Sequence, residues 1–175
     1  MLCVISGCSC GGKTTLINVL LSRGHTILKE PGRAVVREEL DGDGGALPWN
    51  NLVEFAVKCL ELSVKNHDDA TRLDGIVFFD RSLVDADSAL VHVKPGLAKQ
   101  YMRMLADYRY ADTVFMAPPW PEIYENDAER KHTFEDSVAE YDRLVTTYSE
   151  AGYNIQTLPK SSVPDRVKFI YKQID

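Results

Sequence analysis

Several things are scarce in this sequence, and each scarcity removes a class of function. No apolar run approaches the roughly 20 residues that a bilayer crossing needs. No cluster of Lys and Arg exceeds two neighbours, and the formal net charge is -6. A nucleic-acid backbone asks for a basic stripe, so a long polyanion is not an expected partner. A small phosphorylated ligand held by a few local cations stays open. The 4 cysteines, Cys3, Cys8, Cys10 and Cys59, show no paired zinc spacing. Cys3 lies in an apolar run and Cys59 on the apolar side of a helical stretch, so both are expected as buried thiols. The 4 histidines, His25, His67, His92 and His132, show no ligand spacing either. No export-type apolar segment precedes Gly7, which leads to the expectation of a reduced, cytoplasmic protein.

What remains is ordinary for a globular chain: 45% hydrophobic and 26% charged over 175 residues. That length fits one domain spanning residues 1–175 and can bury about 70% of its unfolded surface without staples. Met1 to Ile5 reads as a buried strand, followed by a helix from Lys13 with Leu16, Val19 and Leu20 on one face and Gly24 as its stop. His25 to Leu28 reads as a second strand and Arg33 to Leu40 as a short helix. Asn50 or Asn51 then caps a longer helix carrying Leu52, Phe55, Cys59 and Leu62. Gly75 to Phe79 and Thr113 to Ala117 are continuous apolar runs, the pattern of parallel strands covered on both faces. A helix with Phe134, Val138, Tyr141, Val145 and Tyr148 in register follows, then a short strand Ile155 to Leu158 and a last helix capped by Ser162. Strands alternating with helices over one domain's length predict an α/β parallel sheet.

The chemistry concentrates in Gly7-Cys8-Ser9-Cys10-Gly11-Gly12-Lys13-Thr14, which fits G-x-x-x-x-G-K-[ST] at every fixed position. Glycines let the backbone turn its N–H groups inward, making an anion nest at the positive end of a helix. A lysine there reaches the β- and γ-phosphates, and the hydroxyl after it ligates Mg²⁺. The loop sits between an apolar strand and a helix, the context this motif requires. Residues 7–14 together with Thr15 are therefore expected to hold ATP (GTP is not excluded), with Thr14 on Mg²⁺. Cys8 and Cys10 occupy two free positions. They are either inert or, as thiols in an anion nest, prone to oxidation that would obstruct the phosphates.

Further candidates lie where the other strands end. Asp80 closes the Gly75 to Phe79 run, the place for the acid that holds the water shell of Mg²⁺; a cap or turn role is the alternative. Arg81 beside it either grips a phosphate or anionic substrate group or pairs structurally with Asp80 or Asp85. Glu30-Pro31-Gly32-Arg33 ends the second strand, and crevices at carboxyl ends of parallel strands bind ligands. Glu30 and Arg33 are thus substrate-site candidates, or a surface ion pair. Trp49 is either a stacking platform or a core residue. Pro118 to His132, dense in proline and charge, reads as a flap within a lid segment of about 118–150. In it Arg130 is a candidate lid cation for the nucleotide; Arg143 reads as plain surface.

In this order the phosphate loop, Glu30-Pro31-Gly32-Arg33, Phe79-Asp80-Arg81-Ser82 with Asp85, Ala117-Pro118-Pro119-Trp120 with Asp127 and Arg130, and Gly152-Tyr153 before Leu158-Pro159 carry a resemblance. The chain resembles the small bacterial P-loop proteins known as AAA-family or predicted ATPases, akin to the P-loop domain of nicotinamide riboside kinase. More distantly it is similar to thymidylate and deoxynucleoside kinases. The resemblance covers nearly the whole chain. It implies a five-stranded parallel sheet of order 2-3-1-4-5 flanked by helices, with a lid between strands four and five.

The functional expectation is a kinase passing the γ-phosphoryl of Mg·ATP to a small molecule or nucleotide. Lys13, Asp80, Arg81, Arg130 and Glu30 are the catalytic candidates, and Glu30, Arg33 and Arg81 the substrate-site candidates. The alternative is a nucleotide-dependent switch or slow ATPase/GTPase acting on a protein partner. Nucleic-acid and membrane partners are not expected, and a homodimer is left open.

Overall fold

A computed structural model describes residues 1–9, 11–97, 105–124 and 133–174. The chain runs β1 (Leu2–Gly7), α1 (Lys13–Ser22), β2 (Thr26–Leu28), α2 (Pro31–Asp41), α3 (Leu52–Ala70), β3 (Val77–Asp80) and α4 (Leu83–Val93). It continues through β4 (Thr113–Ala117), α5 (Phe134–Glu150), β5 (Asn154–Thr157) and α6 (Val163–Ile174). The five strands form one sheet of order β2-β3-β1-β4-β5, every neighbouring pair parallel. The α/β fold class and the strand order are those expected.

The continuous apolar runs follow from burial on both faces. Successive side chains of a strand point to opposite sides. Cys3 and Ile5 of β1 pack with Leu16, Leu20, Phe115, Val167 and Ile170 under α1 and α6. Val4 packs with Val77, Phe79, Val114, Leu60, Leu90 and Leu144 under the helices of the other face. Cys3 and Cys59 are buried, and burial pushes their thiols up to about 11 and about 12.

Local chemistry explains where the helices begin. Asn51 accepts the Glu54 N–H, whereas Ser82 with Asp85 and Thr133 with Asp136 each form a reciprocal capping box. Helix α2 starts at Pro31, ahead of the expected Arg33, because the fixed φ of proline suits a first helical turn. Helix α4 has no counterpart in the sequence reading: its stretch Leu83–Val93 contains three buried polar residues, Asp85, Asp87 and Ser88, which blur its apolar stripe. Trp49 does not enter the core; it is 66% exposed, on a turn before α3. The second half of the expected lid segment is helix α5, which buries Leu144 and Tyr148. Residues 125–132 of that segment lie outside the described residues.

Candidate functional site

Strand β1 lies at the centre of the sheet between β3 and β4, so its carboxyl end opens into the crevice where parallel sheets bind ligands. Gly7 turns there with φ of 119°, and a Cβ on it would stand 2.2 Å from the Ala117 carbonyl oxygen. Only glycine fits that approach. Gly12, at φ 70°, caps α1 with no side-chain partner and no acid in the first turn. The first amides of α1 are thereby left for an anion. Thr14 and Thr15 are exposed beside them.

Lys13 is 8% exposed and its Nζ donates to the Gly7 and Cys8 carbonyls at 2.9 and 2.7 Å. Burial and then Arg81 push its pKa down, against the pull of Asp80, Glu30 and Glu140. Asp80 ends β3 opposite Ile5, next to the strand that carries the loop, as expected. Its Oδ1 is buried without a hydrogen-bond partner, and burial raises its pKa to about 6 although Lys13 pulls it down. A buried carboxylate oxygen lacking a donor suits a hydrated cation, and with the free amides of α1 and the Thr14 hydroxyl the residues fit Mg·nucleotide.

The substrate-site candidates do converge. Arg81 is the one non-glycine residue with positive φ (68°) among those described, a conformation that costs energy and is retained where the surroundings dictate it. Three carboxylates supply that constraint: Nε lies 3.2 Å from Glu30 Oε1, and Nη1 lies 2.9 Å from Glu140 Oε1 and 3.5 Å from Asp85 Oδ1. The Glu30 contact is ionic without hydrogen-bond alignment at Nε. Burial opposes the Arg81 charge, but Glu140, Glu30 and Asp85 hold its pKa well above the usual value. Burial likewise pushes Glu30 up, and Arg81, Lys13 and Arg33 outweigh it, leaving the carboxyl below the usual range. Glu30 is therefore ionised at neutral pH. Arg33 donates to Glu30 at 3.3 Å from the exposed rim. Of the two structural partners weighed for Arg81, Asp85 is one and Asp80 is not.

Two further placements bear on the sequence reading: Cys8 fits its inert alternative, and Arg143 departs from it. Cys8 is fully buried, with Sγ 3.9 Å from the Ala117 carbonyl oxygen, so its thiol turns away from the surface on which oxidants act. Arg143 is half-buried rather than plain surface, and its Nε is buried without a hydrogen bond. It lines a cavity of about 680 Å³ between α4 and α5, with Asp87, Ser88 and Thr147. None of its described lining residues belongs to the phosphate loop or to the Glu30–Arg81 pair. Cys10 and Arg130 lie outside the described residues.

Two site residues escaped the sequence reading. Glu140 reaches the loop from α5, accepting the Ser9 N–H at 3.3 Å. Arg166, 1% exposed on α6, donates to the carbonyls of Gly11 and Gly12 at 2.9 and 3.2 Å. No motif announces either one. Glu140 lies a helical turn before Arg143 among other acids, and Arg166 sits next to the inward Val167.

Known proteins bear on this geometry as follows. By structure the chain is similar to deoxyadenosine kinase from M. mycoides with bound dATP, at 15% identity and a TM-score of 0.60, covering 99% of both chains. It is similar to shikimate kinase from Aquifex aeolicus at 14% identity and a TM-score of 0.61, covering 99% of this chain and 96% of that one. At such identities the likeness establishes the fold, that of nucleoside- and shikimate-kinase-like P-loop proteins. No curated protein matches by sequence. A family model described as an AAA domain (AAA_28) matches residues 2–166, and the chain belongs to that family of P-loop domains.

Proposed function

We propose that the chain is a phosphotransferase that passes the γ-phosphoryl group of Mg·ATP to a hydroxyl of a small molecule. One observation carries the reading: the ionised Glu30 and the strained Arg81 meet at 3.2 Å where β2 and β3 end, within the electrostatic reach of Lys13. A switch protein has no use for such a set, since buried charges are costly to assemble. A kinase needs an acid within hydrogen-bond reach of its acceptor and cations around the transferring group. The fold neighbours are by name kinases of deoxyadenosine and of shikimate, which supports a small-molecule acceptor.

In this reading the loop amides and Lys13 bind the phosphates, Thr14 and Asp80 would hold Mg²⁺, and Arg130 adds a cation for the nucleotide. Mg²⁺ supplies neutralisation of the phosphate oxygens when bound. Glu30 orients the acceptor hydroxyl and takes its proton as the new P–O bond forms; the bond from the γ-phosphorus to its bridging oxygen breaks and ADP leaves. Arg81 stabilises the charge on the transferring group, and Arg33 steers the acceptor at the rim. The depressed pKa of Glu30 makes it a weak base, so orientation is the larger part of its task.

The test uses Glu30→Gln with a panel of nucleosides and hydroxylated metabolites. Acceptor-dependent ATP consumption is expected to fall at least 100-fold, with Mg·ATP affinity within about 3-fold of the natural chain, as for an interaction made only with the acceptor. Full activity in Glu30→Gln defeats the assignment. Turnover that no acceptor stimulates, modulated instead by a protein partner, promotes the switch.

A further inference from the structure

Glu140 is placed where neither a helix surface nor a simple ion pair would put it. It projects from the second turn of α5 onto the phosphate loop, where Oε2 accepts the Ser9 N–H and Oε1 lies 2.9 Å from Arg81 Nη1. A loop amide and a guanidinium are the two donors that recognise a phosphoryl oxygen, and here both hold one carboxylate. Contacts fix its position in the cleft. On one side is the phosphate loop, whose amides at Gly11, Gly12 and the start of α1 would cradle the inner phosphates of a nucleotide. On the other side Arg81 leads to Glu30. A phosphoryl group passing to a hydroxyl at Glu30 must lie between them, where the Glu140 carboxylate now is. Burial works against its charge, and Arg81 and Lys13 more than restore it, so the group is an anion.

We infer that the Glu140 carboxylate occupies the terminal-phosphate subsite and competes there with the γ-phosphoryl group, setting how strongly the site prefers a nucleoside triphosphate to a diphosphate. This rests on the reading of the loop as a nucleotide site. A diphosphate fills the inner nest and leaves Glu140 on Ser9 and Arg81. A triphosphate brings a second anion to the same two donors, and like charges at contact distance in a buried site repel strongly. The side chain has to swing away, surrendering both contacts. The penalty falls on the triphosphate alone, and it is reversed after transfer, when the carboxylate regains its donors as the product nucleotide remains. Glu140 thereby favours completion of the reaction over rebinding of ATP.

The test is calorimetric titration of the full chain with Mg·AMP-PNP and with Mg·ADP, in the natural sequence and in Glu140→Gln and Glu140→Ala. Glutamine keeps an acceptor for the Ser9 N–H and removes the charge. Affinity for Mg·AMP-PNP is expected to rise at least tenfold in both variants, with Mg·ADP within about threefold. Should one variant fold poorly, the ratio of the two affinities in the other decides, because both ligands meet the same fold. An unchanged ratio, or a triphosphate bound more weakly, overturns the inference while leaving the kinase reading intact. Failure of the natural chain to bind either nucleotide overturns both.

Discussion

Asp80 is the residue whose burial and task pull hardest against each other. Its carboxyl titrates at about 6 in the folded chain, against about 3.9 for an unperturbed aspartate. Between those values the folded state holds a proton that the unfolded chain has released, so stability falls as pH rises through the window and the full penalty is present above about pH 6. A shift of that size corresponds to roughly 3 kcal/mol. Asp80→Asn is therefore expected to raise the melting temperature at pH 7.5 and to lose that advantage near pH 4, as thermal melts across a pH series would record. The same variant should need more Mg²⁺ for half-maximal turnover. A carboxylate kept at such expense and then found irrelevant to the metal would move that role to another acid, with Asp85 the nearby candidate. Arg81 is a parallel case: positive φ costs on the order of 1 kcal/mol or more, and three acids surround the guanidinium it displays.

Among the elements, α6 has the least obvious share in the site. It packs on α1 through Val167 and Ile170, and from that platform Arg166 holds the carbonyls of Gly11 and Gly12. Carbonyls turned outward leave the amides turned inward, so this fork fixes the polarity of the nest from behind. The guanidinium is desolvated, which lowers its pKa, and lies 5.8 Å from the Trp120 ring centroid. Arg166→Met is expected to cost about 2 kcal/mol of stability, for two charge-assisted hydrogen bonds less the burial of the charge, and to weaken Mg·ATP binding more than tenfold. Arg166→Lys should recover little, since an ammonium lacks the planar fork. Melting curves and nucleotide titrations of the two variants check this; undiminished affinity in both would mean the loop holds its shape without the tether.

At the scale of the whole molecule, one buried network ties the two faces of the site together. Asp85 Oδ1 accepts the Ser6 hydroxyl from β1, just before the phosphate loop, and Oδ2 accepts the Ser82 N–H and the Tyr148 hydroxyl from α5. The same carboxylate touches Arg81, so β1, α4 and α5 meet at a single acid. Burial and Asp85 hold the Tyr148 pKa well above its usual value, which keeps the hydroxyl a donor. Tyr148→Phe leaves Asp85 one donor short and should cost about 1–3 kcal/mol, lowering the melting temperature by roughly 3–10 °C in a domain of this size. Nucleotide affinity should fall by less than tenfold. A melting temperature unchanged by the loss of that hydroxyl would show that the network is not under load.

The parts of this protein legible in the sequence are those encoded by neighbours along the chain. Gly7 to Thr14 has the spacing of a phosphate nest between a strand and a helix. Apolar runs such as Val77 to Phe79 follow from burial on both faces of a parallel sheet. Asp80 is a candidate because it ends one of them, Arg81 because it follows Asp80, and Glu30 because it lies where the second strand ends. What the sequence could not reveal depends on contacts between distant segments. Glu140 is one acid among several on α5, and only the packing of that helix brings it to Ser9, 131 positions away. Arg166 looks like a surface residue until α6 docks on α1 and buries it under Gly11 and Gly12. Trp49 misleads in the opposite direction, since apolarity predicts burial and the indole stands 66% exposed. A local pattern determines where a chain turns and which face it buries; which charges then meet in the cleft is decided by the tertiary structure, because a charge is stabilised by partners that sequence proximity does not specify.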